Sequence, residues 1–89
     1  FLPENFGIRE AADLGMYAQT FMLALTAHGL GSCPQTALSF QAHIVRKELG
    51  ISDDKKLLFG LSFGYPDPEC PANNCTTDRE DCAQVVSFF

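Results

Sequence analysis

The run Asp13 to Gln35, DLGMYAQTFMLALTAHGLGSCPQ, constrains this chain more than any other stretch. Apolar side chains recur at Leu14, Tyr17, Phe21 and Leu25, the i, i+3/i+4 spacing of a helix face. Met16, Met22, Leu23 and Leu30 widen that stripe almost all the way round. A helix apolar on most sides has to be covered on most sides, so part of its cover is expected from outside this chain. Gly29 and Gly31 are expected to stop it, because glycine takes φ > 0 at a helix C-terminus at no steric cost. Pro34 lacks an N–H and biases Cys33 toward an extended conformation, which fixes the direction in which the chain leaves.

The rest reads as short elements around that helix. Phe1 to Gly7, with Pro3 and Asn5, is an irregular lead-in. The helix runs from Ile8 or Arg9 to about His28, with Glu10 and Asp13 complementing its dipole. Gly29 to Leu38 is a turn and a short extended piece. Ser39 is the expected N-cap of a second helix over about Phe40 to Leu49, which Gly50 terminates. Lys56 to Tyr65 reads as a strand. Leu57, Phe59, Leu61 and Phe63 share one face, and Leu58, Gly60, Ser62 and Gly64 the other. That second, nearly bare face is expected to receive the first helix in close packing, in preference to a ligand. Tyr65 to Asp78 is a proline-rich surface loop, Arg79 to Ala83 a short turn, and Gln84 to Phe89 a terminal strand.

Charge and length exclude several classes. A net charge of −5 disfavours nucleic acid and anionic membranes as partners, since both need clustered Lys and Arg. The longest apolar run, Phe21 to Leu25, is far too short to span a bilayer. A chain of 89 residues is marginal as an independent domain. Its eight phenylalanines include both ends, and dimerisation is the natural way to bury them.

The cysteines fit free thiols best, because Cys33 adjoins a helix end and the Cys70, Cys75, Cys82 spacing matches no zinc pattern. One disulfide such as Cys70–Cys75, or a metal site, are the other readings. With no signal peptide in view, a cytoplasmic location is expected.

Four motifs in order carry a resemblance. DLGMYAQTFMLALTAHGLGSCPQ is followed by VRKELGI, then LLFGLSFGYPD, then Arg79 ahead of a hydrophobic tail. Together they closely resemble the C-terminal half of the FMN-dependent nitroreductase family, over about Ala11 to Phe89. The resemblance implies an α+β fold, with an antiparallel-rich sheet flanked by helices around a long central helix. Residues 1–89 would form the C-terminal half of one such domain, the front half being absent. It also implies a homodimer with FMN at the interface and each terminal strand crossing to the partner.

By the same resemblance, Pro34, Gln35, Thr36 and Ala37 contact the flavin, mostly through backbone N–H groups near N5 and O4. Fixed donors there suit the electron density of reduced flavin. On pattern alone this stretch is an ordinary helix stop and connector, a preference that the resemblance reverses. Arg79 corresponds to the arginine that binds the FMN phosphate, since a guanidinium fork matches phosphate oxygens. Without the resemblance it is a solvated Arg among Asp78, Glu80 and Asp81. Relatives often carry another basic residue two or three positions earlier, where this chain has Thr76 and Thr77.

No side chain is read as catalytic. His28 and His43 lack a partnering nucleophile or carboxylate. Cys33 lies at the end of a helix whose dipole opposes an anion, and is read as packing. Asp13 and Gln19 are helix-surface or dimer-contact residues. No metal is expected. The absence of a GxGxxG fingerprint agrees with a nicotinamide that docks on flavin.

The implied activity is hydride transfer from NAD(P)H through FMN to a nitroaromatic or quinone-type small-molecule acceptor. The competing reading is a truncated, non-enzymatic piece that folds only as a homo-oligomer and binds no flavin by itself. It rests on the missing Arg/Ser-rich front segment, which family members use for other phosphate and ribityl contacts. A small secreted disulfide protein is a third, weaker reading.

Overall fold

The long helix forms as its periodicity dictates. In the computed structural model, which describes residues 1–89, α1 spans Ile8–Ala27. Its start is fastened by Glu10, whose Oε2 accepts the Gly7 N–H at 2.9 Å. Its end is a Schellman turn. Gly29, at φ 75°, donates its N–H to the Thr26 carbonyl, and Leu30 donates to the Leu25 carbonyl. Gly29 alone does the stopping. Gly31 has no positive φ and opens a strand instead.

That strand, β2 (Gly31–Gln35), pairs antiparallel with β4 (Gly60–Gly64) in the register Gly31↔Gly64 through Gln35↔Gly60. A second, two-residue pairing joins β1 (Leu2–Pro3) to β3 (Lys55–Lys56). The lead-in is therefore tied down, and the expected strand from Lys56 to Tyr65 is broken over Leu57–Phe59. Its two ends pair with different partners that do not lie in one continuous sheet.

Between β2 and β4 the chain makes a 3-10 helix, Thr36–Gln41, and then α2, Ala42–Leu49. Ser39 is not the N-cap of α2. It sits inside the 3-10 turn, where its hydroxyl donates to the Thr36 carbonyl at 2.7 Å, and Gln41 precedes α2. Gly50, at φ 64°, closes α2 as expected. Arg46 ties α2 to β3 by donating from Nε to the Lys55 carbonyl at 2.8 Å. In the turn between them, a bond from the Ser52 hydroxyl and the Lys55 ammonium at 3.1 Å hold the Asp54 carboxyl below the usual carboxylate range.

The faces of the β2–β4 ladder are assigned opposite to expectation. Phe63 points to α1 and meets Phe21, so the helix packs on the bulky face. The bare face carries Gly31, Cys33 and Gln35 beside Gly60, Ser62 and Gly64, because paired residues share a side. Leu38 of the 3-10 helix comes down on it at Gly60. A helix needs side chains to interdigitate with, which Phe63 supplies and glycine does not.

The tail also departs from expectation. Cys82–Val85 form a short helix, α3, whose start is capped by the Asp81 carboxylate accepting the Ala83 N–H. Val86 to Phe89 belong to no strand. Their β-type side chains find no partner edge within this chain.

Only Ala18 and Leu25 are buried. The accessible surface is 7568 Å², against about 5,100 Å² for a compact protein of this mass. The radius of gyration is 16.3 Å, where about 12 Å is usual for this length. Ile8, Met16, Tyr17 and Leu23 leave much of α1 open to water.

Candidate flavin-binding loop

The candidate site grows out of the end of the β2–β4 ladder. Pro34 and Gln35 are the last residues of β2, opposite Leu61 and Gly60. The backbone then turns at Gln35 (φ −123°, ψ 87°) into the 3-10 helix that begins with Thr36 and Ala37. The first N–H groups of such a helix have no acceptor within it. No side chain caps this end, and no turn or loop bond uses the Thr36 or Ala37 N–H. All four residues are exposed. The turn thus presents the Thr36 and Ala37 N–H groups as backbone donors.

Arg79 lies apart, in the coil between the loop and α3. Its Nη1 donates to Thr77 Oγ1 at 2.8 Å, to the Asp78 carbonyl at 3.0 Å and to the Thr77 carbonyl at 3.3 Å. Nη2 and Nε make no hydrogen bond, and the residue is exposed. Thr77 therefore orients the arginine. The guanidinium keeps free donors.

Two open clefts flank the ladder. One, of about 300 Å³, is lined by Gln35, Leu38, Val45, Leu49, Phe59 and Gly60 among others. The other, of about 420 Å³, lies between Gly31–Cys33, Ser62–Tyr65 and the folded loop around Asp67, Cys70 and Asn73. Arg79 lines neither. Cys33, read as packing, is exposed beside the second cleft, and all four cysteines are free thiols. His28 and His43 are exposed. The seat of Leu38 on Gly60 was not foreseen, although an isolated glycine within a strand pattern signals close approach.

These features define an α+β unit with two small antiparallel pairings, a long helix and an exposed backbone-donor turn. The nitroreductase family model matches residues 3–65. Nitroreductase NfnB of Mycolicibacterium smegmatis is 49% identical over 88 residues, which cover 99% of this chain and 37% of that protein. Chloronitrobenzene nitroreductase of Comamonas testosteroni is 32% identical over 74 residues, 83% of this chain and 33% of that one. The crystal structure of FMN-dependent NfnB from Mycobacterium smegmatis with NADPH superposes with a TM-score of 0.92 at 48% identity. That match covers 98% of this chain and 39% of the solved one. The architecture is that of the nitroreductase fold.

The chain belongs to the nitroreductase family. It spans about a third of the length of the relatives it matches.

Proposed function

We propose that this chain serves an FMN-dependent oxidoreductase that passes hydride from NAD(P)H to a nitroaromatic or quinone-type acceptor. The observation that carries this is 49% identity, over almost the whole chain, to nitroreductase NfnB, together with the match to an NfnB solved as an FMN-dependent nitroreductase with NADPH. Residues 1–89 would supply the C-terminal half of one nitroreductase-like domain. Bound FMN would supply the two-electron hydride chemistry. The N–H groups of Thr36 and Ala37 would hold its polar edge, with Pro34 and Gln35 setting the turn. Arg79 would bind its phosphate through the donors that Thr77 and Asp78 leave free. No side chain here needs to move a proton.

The large exposed surface favours a homodimer. The excess over a compact protein is about 2,400 Å², the scale of an obligate interface. Four free thiols favour the cytoplasm over an oxidising compartment. No helix of the chain is long and apolar enough to cross a membrane.

The same exposure supports a second reading, in which the chain folds only as a homo-oligomer and holds no flavin by itself. Titrating the purified chain with FMN, while following flavin fluorescence and sedimentation, separates the two. Saturable quenching in a dimer, with NADPH-dependent reduction of a nitroaromatic, is the outcome expected. A dimer that leaves FMN fluorescence unchanged would establish the second reading in its place.

A further inference from the structure

We infer that Leu38, seated on Gly60, is the contact that holds the Gln35–Ala37 turn in shape, an inference that rests on the flavin reading of that turn. The ladder's last rung is Gln35↔Gly60, and beyond it Thr36–Gln41 has no sheet partner. The one side-chain hydrogen bond made from the 3-10 helix is internal, from Ser39 to the Thr36 carbonyl. What fastens the helix to the rest of the chain at this point is packing. A Cβ built at position 60 would overlap Leu38 Cδ1 and stand 3.6 Å from its Cγ. Leu38 therefore occupies the space that any other residue at position 60 would claim for itself.

The pair acts on the turn from two sides. Gly60 fixes Gln35 through the rung, and Leu38 lies two residues beyond Thr36. Both line the same apolar cleft with Val45, Leu49 and Phe59. A methyl group at position 60 displaces the Leu38 side chain, which is already 38% exposed and can swing into water. The 3-10 turn then loses its seat while the ladder remains. Leu38 and Gly60 are thus positioning residues that act through the Thr36 and Ala37 backbone.

The test is FMN titration by fluorescence quenching on the full chain, paired with thermal unfolding. The variants are Gly60→Ala, Leu38→Ala, the double variant and Leu38→Met. Each single alanine variant should weaken FMN binding by about tenfold, and the double should be no worse than either, because both remove one shared contact. Leu38→Met conserves volume and should bind as the parent does. Unchanged FMN affinity in the single variants would overturn the inference, as would losses that add in the double. A lowered melting temperature at unaltered affinity would overturn it too, since the contact would then be structural only. Failure of the parent chain to bind FMN defeats the functional reading itself and this inference with it.

Discussion

Phe21 and Phe63 meet edge to face, their ring centroids 5.8 Å apart and their planes at 86°. This contact joins the long helix to β4 and decides which face of the ladder the helix covers. Tyr17 extends it by stacking on Phe21 at 6.5 Å. An edge-to-face pair contributes about 0.5–1.5 kcal/mol beyond the area it hides. Phe63→Leu should therefore destabilise the chain by about 1 kcal/mol. In urea unfolding the loss should vanish when Phe21 is already Leu, because the two substitutions remove one interaction.

The turn at Thr36 gives a second prediction. Thr36 opens the 3-10 helix, a first-turn position that tolerates proline, and Gln35 before it lies outside the helical region, so Thr36→Pro should be accommodated by the backbone. It deletes one N–H and little else. Thr36→Ala keeps that N–H. The alanine variant should hold FMN and the proline variant should lose the yellow colour. Equal flavin retention by the two would remove the backbone from the site.

Arg79 provides a test of phosphate recognition. Removing a charge-assisted hydrogen bond costs on the order of 1.5–3 kcal/mol, or one to two orders of magnitude in affinity. Arg79→Ala should weaken FMN by that amount. Riboflavin has no phosphate and should bind parent and variant alike. An unaltered FMN titration would return Arg79 to the solvent.

The terminal residues bear on assembly. Phe88 and Phe89 are almost wholly exposed and Val86 is half-exposed, with no strand to pair them. Full burial of one Phe is worth roughly 1.5–3 kcal/mol, so the tail is expected to support association. Deleting Val86–Phe89 should shift a dimer to monomer or aggregate in sedimentation velocity. A truncated chain that sediments as the parent does would free the tail of that role.

The sequence made the long helix legible because twenty residues of one period leave little choice, and Gly29 and Gly50 marked two ends by their φ. It was less informative where order arises between distant residues. The β1–β3 pairing is two residues long, too short to show any periodicity, and it joins Leu2 to Lys56 across most of the chain. The 3-10 helix at Thr36 has no signature distinct from the turn that was expected. Alternation along β4 showed that one face was bare. It did not show that Leu38 comes to that face and α1 to the other, because size complementarity depends on both partners. Pro34 to Ala37 could be found as a turn from Pro34 alone, and as a candidate flavin loop only through the surrounding motifs.

The near absence of an interior also has a calorimetric consequence. The heat-capacity increment of unfolding follows the apolar area newly wetted, and amounts to about 12–15 cal/mol/K per residue in ordinary domains. A chain in which only Ala18 and Leu25 are fully buried has less left to wet than an ordinary domain. Taken singly, it should melt over a broad interval with a small increment and a shallow stability curve. The ordinary sharp transition would then be a property of the assembly, and its midpoint would rise with protein concentration.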